Sequence, residues 1–397
     1  MEHIPFFAPD LSEEDAAAAA AVLRSGWITT GPVTARFERA VADFCRADRA
    51  VCLSSQTAAA ELVLRLLGIG PGDEVLLPAY TYTATCSVVC HVGAVPVLID
   101  CAPGRFTMDE NALEAAVTPR TKAIIPVDFA GIPCDCRRLT ALAGAKRGCF
   151  SPASPLQEAL GRIAVVADAS HSLGGSRDGL PCGSLADFTC FSFHAVKNLT
   201  TAEGGAVVWR DLPGADNDAL ERRLRLLSLH GQSRSAFEKQ EGDWEYDVLF
   251  PGYKCNMTDL AAALGLSQLG RYPSMLARRK ALIRRYDDAL SDLPLELPRH
   301  FEPGVSSSGH LYPIRLYGFS EEERGKAIAA LCRAGVSCNV HYKPLPMLTA
   351  YRCLGFSICD FPNAYAMYQN EVTLPLYSAM SDAQADWAAE ALHKILQ

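Results

Sequence analysis

Seven short apolar runs, at residues 50–53, 74–77, 96–99, 123–127, 165–167, 188–193 and 206–209, punctuate the first two-thirds of the chain. They are rich in Val, Ile and Leu, and most lack the polar alternation of a strand that faces water on one side. Each predicts a strand covered on both faces. Helical patterns lie between them. Residues 57–67 are apolar at helical spacing and stop at Gly68, and 83–92 do the same before Gly93, where glycine supplies a left-handed stop. Strands alternating with helices imply an α/β fold, a mostly parallel sheet with crossover helices on both faces. Ligands of such sheets collect beyond the carboxyl ends of the strands, so a site is sought in the residues that follow these runs.

After about residue 259 the pattern changes. Residues 260–269 and 278–290 read as long helices, 311–316 and 336–340 as strands, and 321–334 and 383–396 as helices. That predicts a large domain over 1–255, then a linker helix and a smaller C-terminal α+β domain over 256–397. The Pro-, Ser- and Gly-containing stretch 144–161 is expected as a surface insertion. The chain's 397 residues, 49% of them hydrophobic, suffice for more than one core. A formal charge of −8 weighs against a nucleic-acid or membrane-surface partner. The longest apolar stretch, 16–23, is too short to span a membrane. The first ten residues carry Glu2, His3 and Asp10 and have no signal-peptide h-region, so a cytoplasmic protein is expected. The fifteen cysteines are scattered, and the close pair Cys134 and Cys136 has no partner pair or histidine at zinc spacing. Reduced core thiols and no metal are expected.

Two strand ends carry chemistry. The run 165–167 leads into Asp168. The run 188–193 leads into Ser192, His194 and Lys197, within DFTCFSFHAVKNLTTAEGG at 187–205. Taken singly, Asp168 also fits a turn cap and Lys197 a surface side chain reaching back to water. Together they match what pyridoxal phosphate (PLP) chemistry demands: a lysine to bond the aldehyde, an acid to keep the ring nitrogen protonated, and donors for the phosphate. Ser192 is one such donor. Ser55, Gln56 and Thr57 open a helix just after the first strand, where free N–H groups attract phosphate. Tyr82 follows the second strand and is placed to cover a ring face.

The motifs SGWITTGP (25–32), LGIGPGDEVLLPAYTYTAT (67–85), TPRTKAIIPV (118–127), ADASHSLGG (167–175), FSFHAVKNLTTAEGG (191–205) and PGYKCNMTDLAAALGLSQL (251–269) occur in this order. Together the chain resembles the DegT-type PLP-dependent nucleotide-sugar aminotransferases of fold type I, over nearly its whole length. The resemblance implies a Schiff-base and proton-carrying role for Lys197 and a ring-nitrogen partner in Asp168. It places His171 near the ring oxygen, Tyr82 as the stacking aromatic, and Gln56, Thr57 and Ser192 at the phosphate. Asn256 would reach the phosphate in the partner subunit, which implies a homodimer with shared active sites. The implied reaction moves an amino group from glutamate to a nucleotide-linked keto-sugar, foremost a UDP-4-keto sugar, for polysaccharide or lipid-glycan biosynthesis. Trp27, Thr29, Thr30, His194, His230, His310, His341 and Tyr342 are the substrate-pocket candidates, although each histidine also fits a structural, hydrogen-bonded role. Gln56, Cys255 and the 144–161 stretch depart from the family pattern and bear on which sugar is used. A cyclitol ketone as acceptor and a non-catalytic regulator on the same fold are the alternatives. The family's dehydratases replace the lysine by histidine, so Lys197 favours transamination. Arg222, Arg223 and Arg225, and the basic residues within 278–285, fall at helical spacing and read as solvated helix faces.

Overall fold

The computed structural model describes residues 3–234 and 244–396. Each of the seven apolar runs forms a strand: β1 Arg49–Leu53, β2 Glu74–Pro78, β3 Val95–Ile99, β4 Thr121–Ile124, β5 Ala164–Asp168, β6 Phe188–Ser192 and β7 Gly205–Trp209. They join in one sheet of order β1-β7-β6-β5-β4-β2-β3. All run the same way except β7, which is antiparallel to both neighbours. The carboxyl ends of six strands therefore share one edge, and β7 begins at that edge, with Gly205 opposite both Leu53 and Ser192.

The missing polar alternation has its cause in packing on both faces. In β1, Val51 and Leu53 face one hydrophobic cluster while Ala50 and Cys52 face another. In β5, Val166 and Val165 divide in the same way. Helices α1 (Glu13–Ser25), α2 (Pro32–Cys45), α3 (Gln56–Leu66) and α4 (Thr83–His91) precede or cross between strands. The Ser55 hydroxyl caps α3 by accepting from Ala58 N at 3.0 Å.

A second core gathers Leu282, Ile283 and Tyr286 with Tyr312, Ile314, Val372 and Leu374, and Ile4 from the N-terminal segment joins it. Its sheet pairs β8 (Tyr312–Leu316) with β9 (Glu371–Leu374) and with the short strand Leu295–Glu296. Three details differ from the sequence reading. The two long helices are one, α5 (Asp259–Leu290), which carries Pro273 inside it. Proline forfeits one backbone bond there, but Tyr272 and Met275 pack into one core and Leu282 and Tyr286 into the other, and this holds the helix through. The expected strand 336–340 is reduced to single bridges, Val336 with Ile4 and Asn339 with Thr373, and the strand beside it is β9. Arg279, expected on a solvated face, is buried, and its guanidinium donates to the carbonyls of Gly309 (3.1 Å) and Leu376 (3.0 Å).

The stretch 144–161 holds a short helix, Pro155–Leu160. It is tied to the end of α3, because the side chains of Ser154 and Gln157 each donate to Leu67 O at 2.8 Å. All fifteen cysteines are free. No helix among the described residues is long and apolar enough to cross a membrane.

Candidate active site

A cleft of about 540 Å³ opens over the shared strand edge, within the size range of small-molecule sites. It is lined by Gln56, Thr57, Tyr82, Asp168, His171, Ser192, His194, Lys197, His341 and Tyr342. Topology brings these together: α3 opens after β1, α4 after β2, Asp168 ends β5, and Ser192 ends β6. The β5–β6 register sets Asp168 opposite Cys190, two residues from Ser192.

Asp168 is buried and held on both oxygens. Thr85 Oγ1 donates to Oδ2 at 2.8 Å, and Ser170 donates to Oδ1 from its hydroxyl (2.5 Å) and its N–H (3.2 Å). Thr81 Oγ1 lies 2.9 Å from Thr85 Oγ1 and extends the network. Lys197 sits on the turn after β6, its N–H donating to His194 O at 2.8 Å. Burial holds its ammonium down to about 8, while the Asp168 charge pulls the other way.

Three neutral histidines surround this pair. His171 shares its Nε2 with Tyr342 OH at 3.1 Å, and its ring lies 4.4 Å from that of His310. Burial, then the Lys197 charge, keeps His171 well below the usual imidazole range. His310 points Nδ1 at Asn198 Oδ1 at 2.9 Å, so that nitrogen carries the proton. His341 is lowered to about 3 by burial and Lys197. Tyr82 is exposed on the rim, its ring 5.6 Å from that of Tyr342. His194 is exposed and its Nε2 lies 3.6 Å from Glu203.

The remaining candidates lie elsewhere in the chain. Asn256 Nδ2 donates to Thr30 Oγ1 at 2.6 Å, and Thr30 Oγ1 donates to Met257 O at 2.5 Å. Trp27 Nε1 donates to Thr30 O at 3.1 Å, and Thr29 O accepts from Asp259 N. Thr30 and Asn256 line a second cleft with Arg222, Arg223 and Arg225. His230 is exposed, with φ +57°, and its N–H donates to Tyr253 O. None of these five lines the Lys197 cleft. The sequence reading overlooked Thr81, Thr85 and Ser170 around Asp168, and Glu371 and Thr373 behind His341. Thr81 and Thr85, four apart where α4 begins, were visible as polar positions in an otherwise apolar stretch. Glu371 and Thr373 are distant in sequence and gave no such sign.

The donor set fits pyridoxal phosphate. An amine with a lowered pKa and a hydrogen-bonded carboxylate face one cavity, and a capped helix N-terminus with the Thr57 and Ser192 hydroxyls stands beside them. Gly205 makes that corner possible: a Cβ there would meet Gln56 N at 2.3 Å and Ser55 C at 2.4 Å. His171 keeps a buried Nδ1 with no partner among the described residues, a polar atom left for a group the chain does not supply.

Residues 9–393 match the profile of the DegT/DnrJ/EryC1/StrS aminotransferase family. The chain is similar to Spr1654 of Streptococcus pneumoniae, assigned as a sugar aminotransferase, in its PMP form, with 50% identity, 99% and 98% coverage of the two chains, and a TM-score of 0.97. The PLP form of the same protein superposes with a TM-score of 0.96. PseC of Helicobacter pylori, an aminotransferase involved in the biosynthesis of pseudoaminic acid, is 28% identical over 100% and 99% of the chains, with a TM-score of 0.87. SpsC of Bacillus subtilis, a spore coat polysaccharide biosynthesis protein, is 36% identical over 99% and 97%. With lysine, carboxylate and a capped helix N-terminus gathered on one sheet edge and the match running almost end to end, this chain belongs to the DegT/DnrJ/EryC1/StrS aminotransferase family, as a pyridoxal-phosphate-dependent sugar aminotransferase.

Proposed function

We propose that the protein transfers the amino group of glutamate to a keto-sugar carried on a nucleotide, foremost a UDP-4-keto sugar, in polysaccharide or lipid-glycan biosynthesis. We further propose that it works in the cytoplasm as a homodimer with shared active sites. The observation that carries the reaction is the pairing of Lys197, held down to about 8 by burial, with Asp168, locked by Thr85 and Ser170 over the same cleft. Similarity to PseC, involved in pseudoaminic acid biosynthesis, and to SpsC, a spore coat polysaccharide biosynthesis protein, supports a glycan-building role. The FSFHAVKN run, the His230-Gly231 pair and the GYKCNMTD segment resemble UDP-4-amino-4-deoxy-L-arabinose–oxoglutarate aminotransferase, and support a 4-keto sugar on UDP.

When bound, the cofactor supplies an electron sink for the pair left behind at the substrate carbon. Asp168 would hold its ring nitrogen protonated, and the Thr85 and Ser170 donors keep the carboxylate from turning away. Thr57, Ser192 and the α3 N-terminus would hold the phosphate. Lys197 takes and gives a proton at Nζ, a task suited to a base whose pKa lies near the working pH. His171 and His341 stay uncharged beside it and so do not oppose its protonation. The test is a panel of UDP-, GDP- and dTDP-4-keto sugars with glutamate as donor, read as 2-oxoglutarate and amino-sugar formation. Turnover of none of them, with a yellow protein whose absorbance glutamate does bleach, would retain the cofactor chemistry and reject the sugar. A cyclitol ketone in the same panel covers the remaining acceptor class.

A further inference from the structure

Glu371 opens β9 and its side chain is fully buried. Arg324, the cation that faces it, spends its guanidinium on Tyr368 O (3.1 Å) and on the main-chain carbonyl of Glu371 (3.4 Å), with Glu321 at 3.9 Å. No ion pair to the Glu371 carboxyl forms among the described residues. Its two oxygens are nevertheless used. Oε2 accepts from the N–H of His341 at 2.8 Å, and Oε1 is in hydrogen-bond contact with Thr373 Oγ1. Thr373 Oγ1 in turn lies 2.9 Å from His341 Nδ1. The backbone of Thr373 exchanges two hydrogen bonds with Asn339, and Tyr80 OH donates to His341 O at 2.6 Å. The histidine is thus fixed from behind, while its residue lines the Lys197 cleft.

The chain carboxyl–hydroxyl–imidazole has a direction, because each contact holds one proton. With Glu371 ionised, the Thr373 hydroxyl donates to Oε1 and accepts from a proton on His341 Nδ1. With Glu371 neutral, Oε1–H donates to Thr373, the hydroxyl donates to Nδ1, and the uncharged ring must carry its proton on Nε2. A fully buried carboxyl with no cation bonded to it favours its neutral form, since the charge would leave water with too little compensation.

We propose that Glu371 stands as a neutral acid and, acting through Thr373, holds His341 in the Nε2-protonated tautomer, so that His341 presents an N–H donor to an oxygen of the sugar bound in the Lys197 cleft. Glu371 and Thr373 are positioning residues. The tautomer is independent of the substrate, and the donor role rests on the reading of this cleft as the sugar site. Burial pushes Glu371 up to about 8, against Thr373, the His341 N–H and Arg324. The other groups that face this chain are Tyr80, Cys338 and Tyr342, all raised by burial and so uncharged; His171 and His310, both held well below the imidazole range by burial and so neutral; and Lys197, which faces His341 and titrates in the same range. Below about pH 8 Glu371 keeps its proton and His341 is a donor. Above it the chain reverses and His341 becomes an acceptor.

The test is ¹⁵N NMR of the holoenzyme labelled at histidine, with the His341 ring assigned by comparison with His341→Gln. The native protein shows Nε2–H below about pH 8 and moves to Nδ1–H above it. Glu371→Gln separates this from titration of Lys197, because its amide donates to Thr373 as the neutral acid does. It keeps Nε2–H on both sides. Thr373→Val loses the preference and Thr373→Ser restores it. For the sugar that the substrate panel identifies, KM of the native enzyme rises about fivefold across the same range with kcat little changed, the size of one lost hydrogen bond, and Glu371→Gln stays flat. Nδ1–H in the native protein at neutral pH, conversion to Nδ1–H in Glu371→Gln, or a native-like spectrum in Thr373→Val overturns the tautomer. A flat native KM overturns the donor role. Failure of every sugar in the panel would sink the substrate reading and leave the NMR result standing.

Discussion

The proposed reaction divides its chemistry between a base, Lys197, and a fixed charge, Asp168, and each can be removed separately. Lys197→Ala leaves a folded protein with no multiple turnover, and borohydride no longer fixes the cofactor to the chain. Mass mapping of the reduced native protein locates the adduct at residue 197. Because burial lowers this amine to about 8, the fraction of neutral, attacking amine in cofactor-free protein rises with pH and levels off above that value. The rate of pyridoxal phosphate uptake follows the same curve, measured by the growth of yellow absorbance. A rate that is flat across that range would reject a lowered Lys197. Asp168→Asn removes the charge and leaves one oxygen to accept, so one of the two donor contacts must turn or break, and kcat/KM falls by about 100-fold, the usual cost of one preorganised electrostatic partner. Thr85→Val, which strips one hydrogen bond from that carboxylate, acts in the same direction with a far smaller effect.

At the scale of elements, the corner where β7 meets α3 has the least room. A methyl group at Gly205 would run into the main chain of Ser55 and Gln56, which cannot yield as a side-chain tip would. Gly205→Ala therefore pushes the α3 N-terminus off the sheet edge. Cofactor affinity drops more than tenfold in titration, and stability falls by about 1–3 kcal/mol in denaturant melts. Ser55→Ala removes only a cap and costs about 1 kcal/mol. This level was readable from sequence where burial acts on both faces of a strand. All seven runs became strands of the large sheet, and Gly205 already stood at the head of the last one. It was unreadable where tertiary packing overruled a local signal. The two helices expected at 260–269 and 278–290 are one, passing through Pro273 and anchored in two cores. The four residues of β9 carry too little periodicity to stand out, so the strand that supports His341 from behind was missed.

On the scale of the whole molecule, Thr30 and Asn256 sit together at a second cleft, apart from Lys197. The shared-site homodimer proposed above gives that separation a purpose, since a two-fold partner would bring one protomer's Asn256 toward the other's Lys197. Complementation tests it. Lys197→Ala and Asn256→Ala proteins, each inactive alone, regain about a quarter of native activity when unfolded and refolded together. Half of the dimers are then mixed, and each mixed dimer has one site with both native residues. No recovery would show that each site is complete within one chain, and full activity of Asn256→Ala by itself would remove Asn256 from the site.

Sequence alone determined the residue types the reaction needs and the edge of the fold on which they had to meet. Strand composition reports burial directly, and the motifs carrying Lys197, Asp168, Ser192 and Thr57 are local, each set beside its own strand. Tertiary structure alone decided what those residues experience. The depth at which Lys197 is buried, the donors that lock Asp168, and the Glu371–Thr373 support behind His341 come from contacts between segments far apart in the chain. Dielectric surroundings and hydrogen-bond direction are properties of three-dimensional neighbours, and no local pattern encodes them.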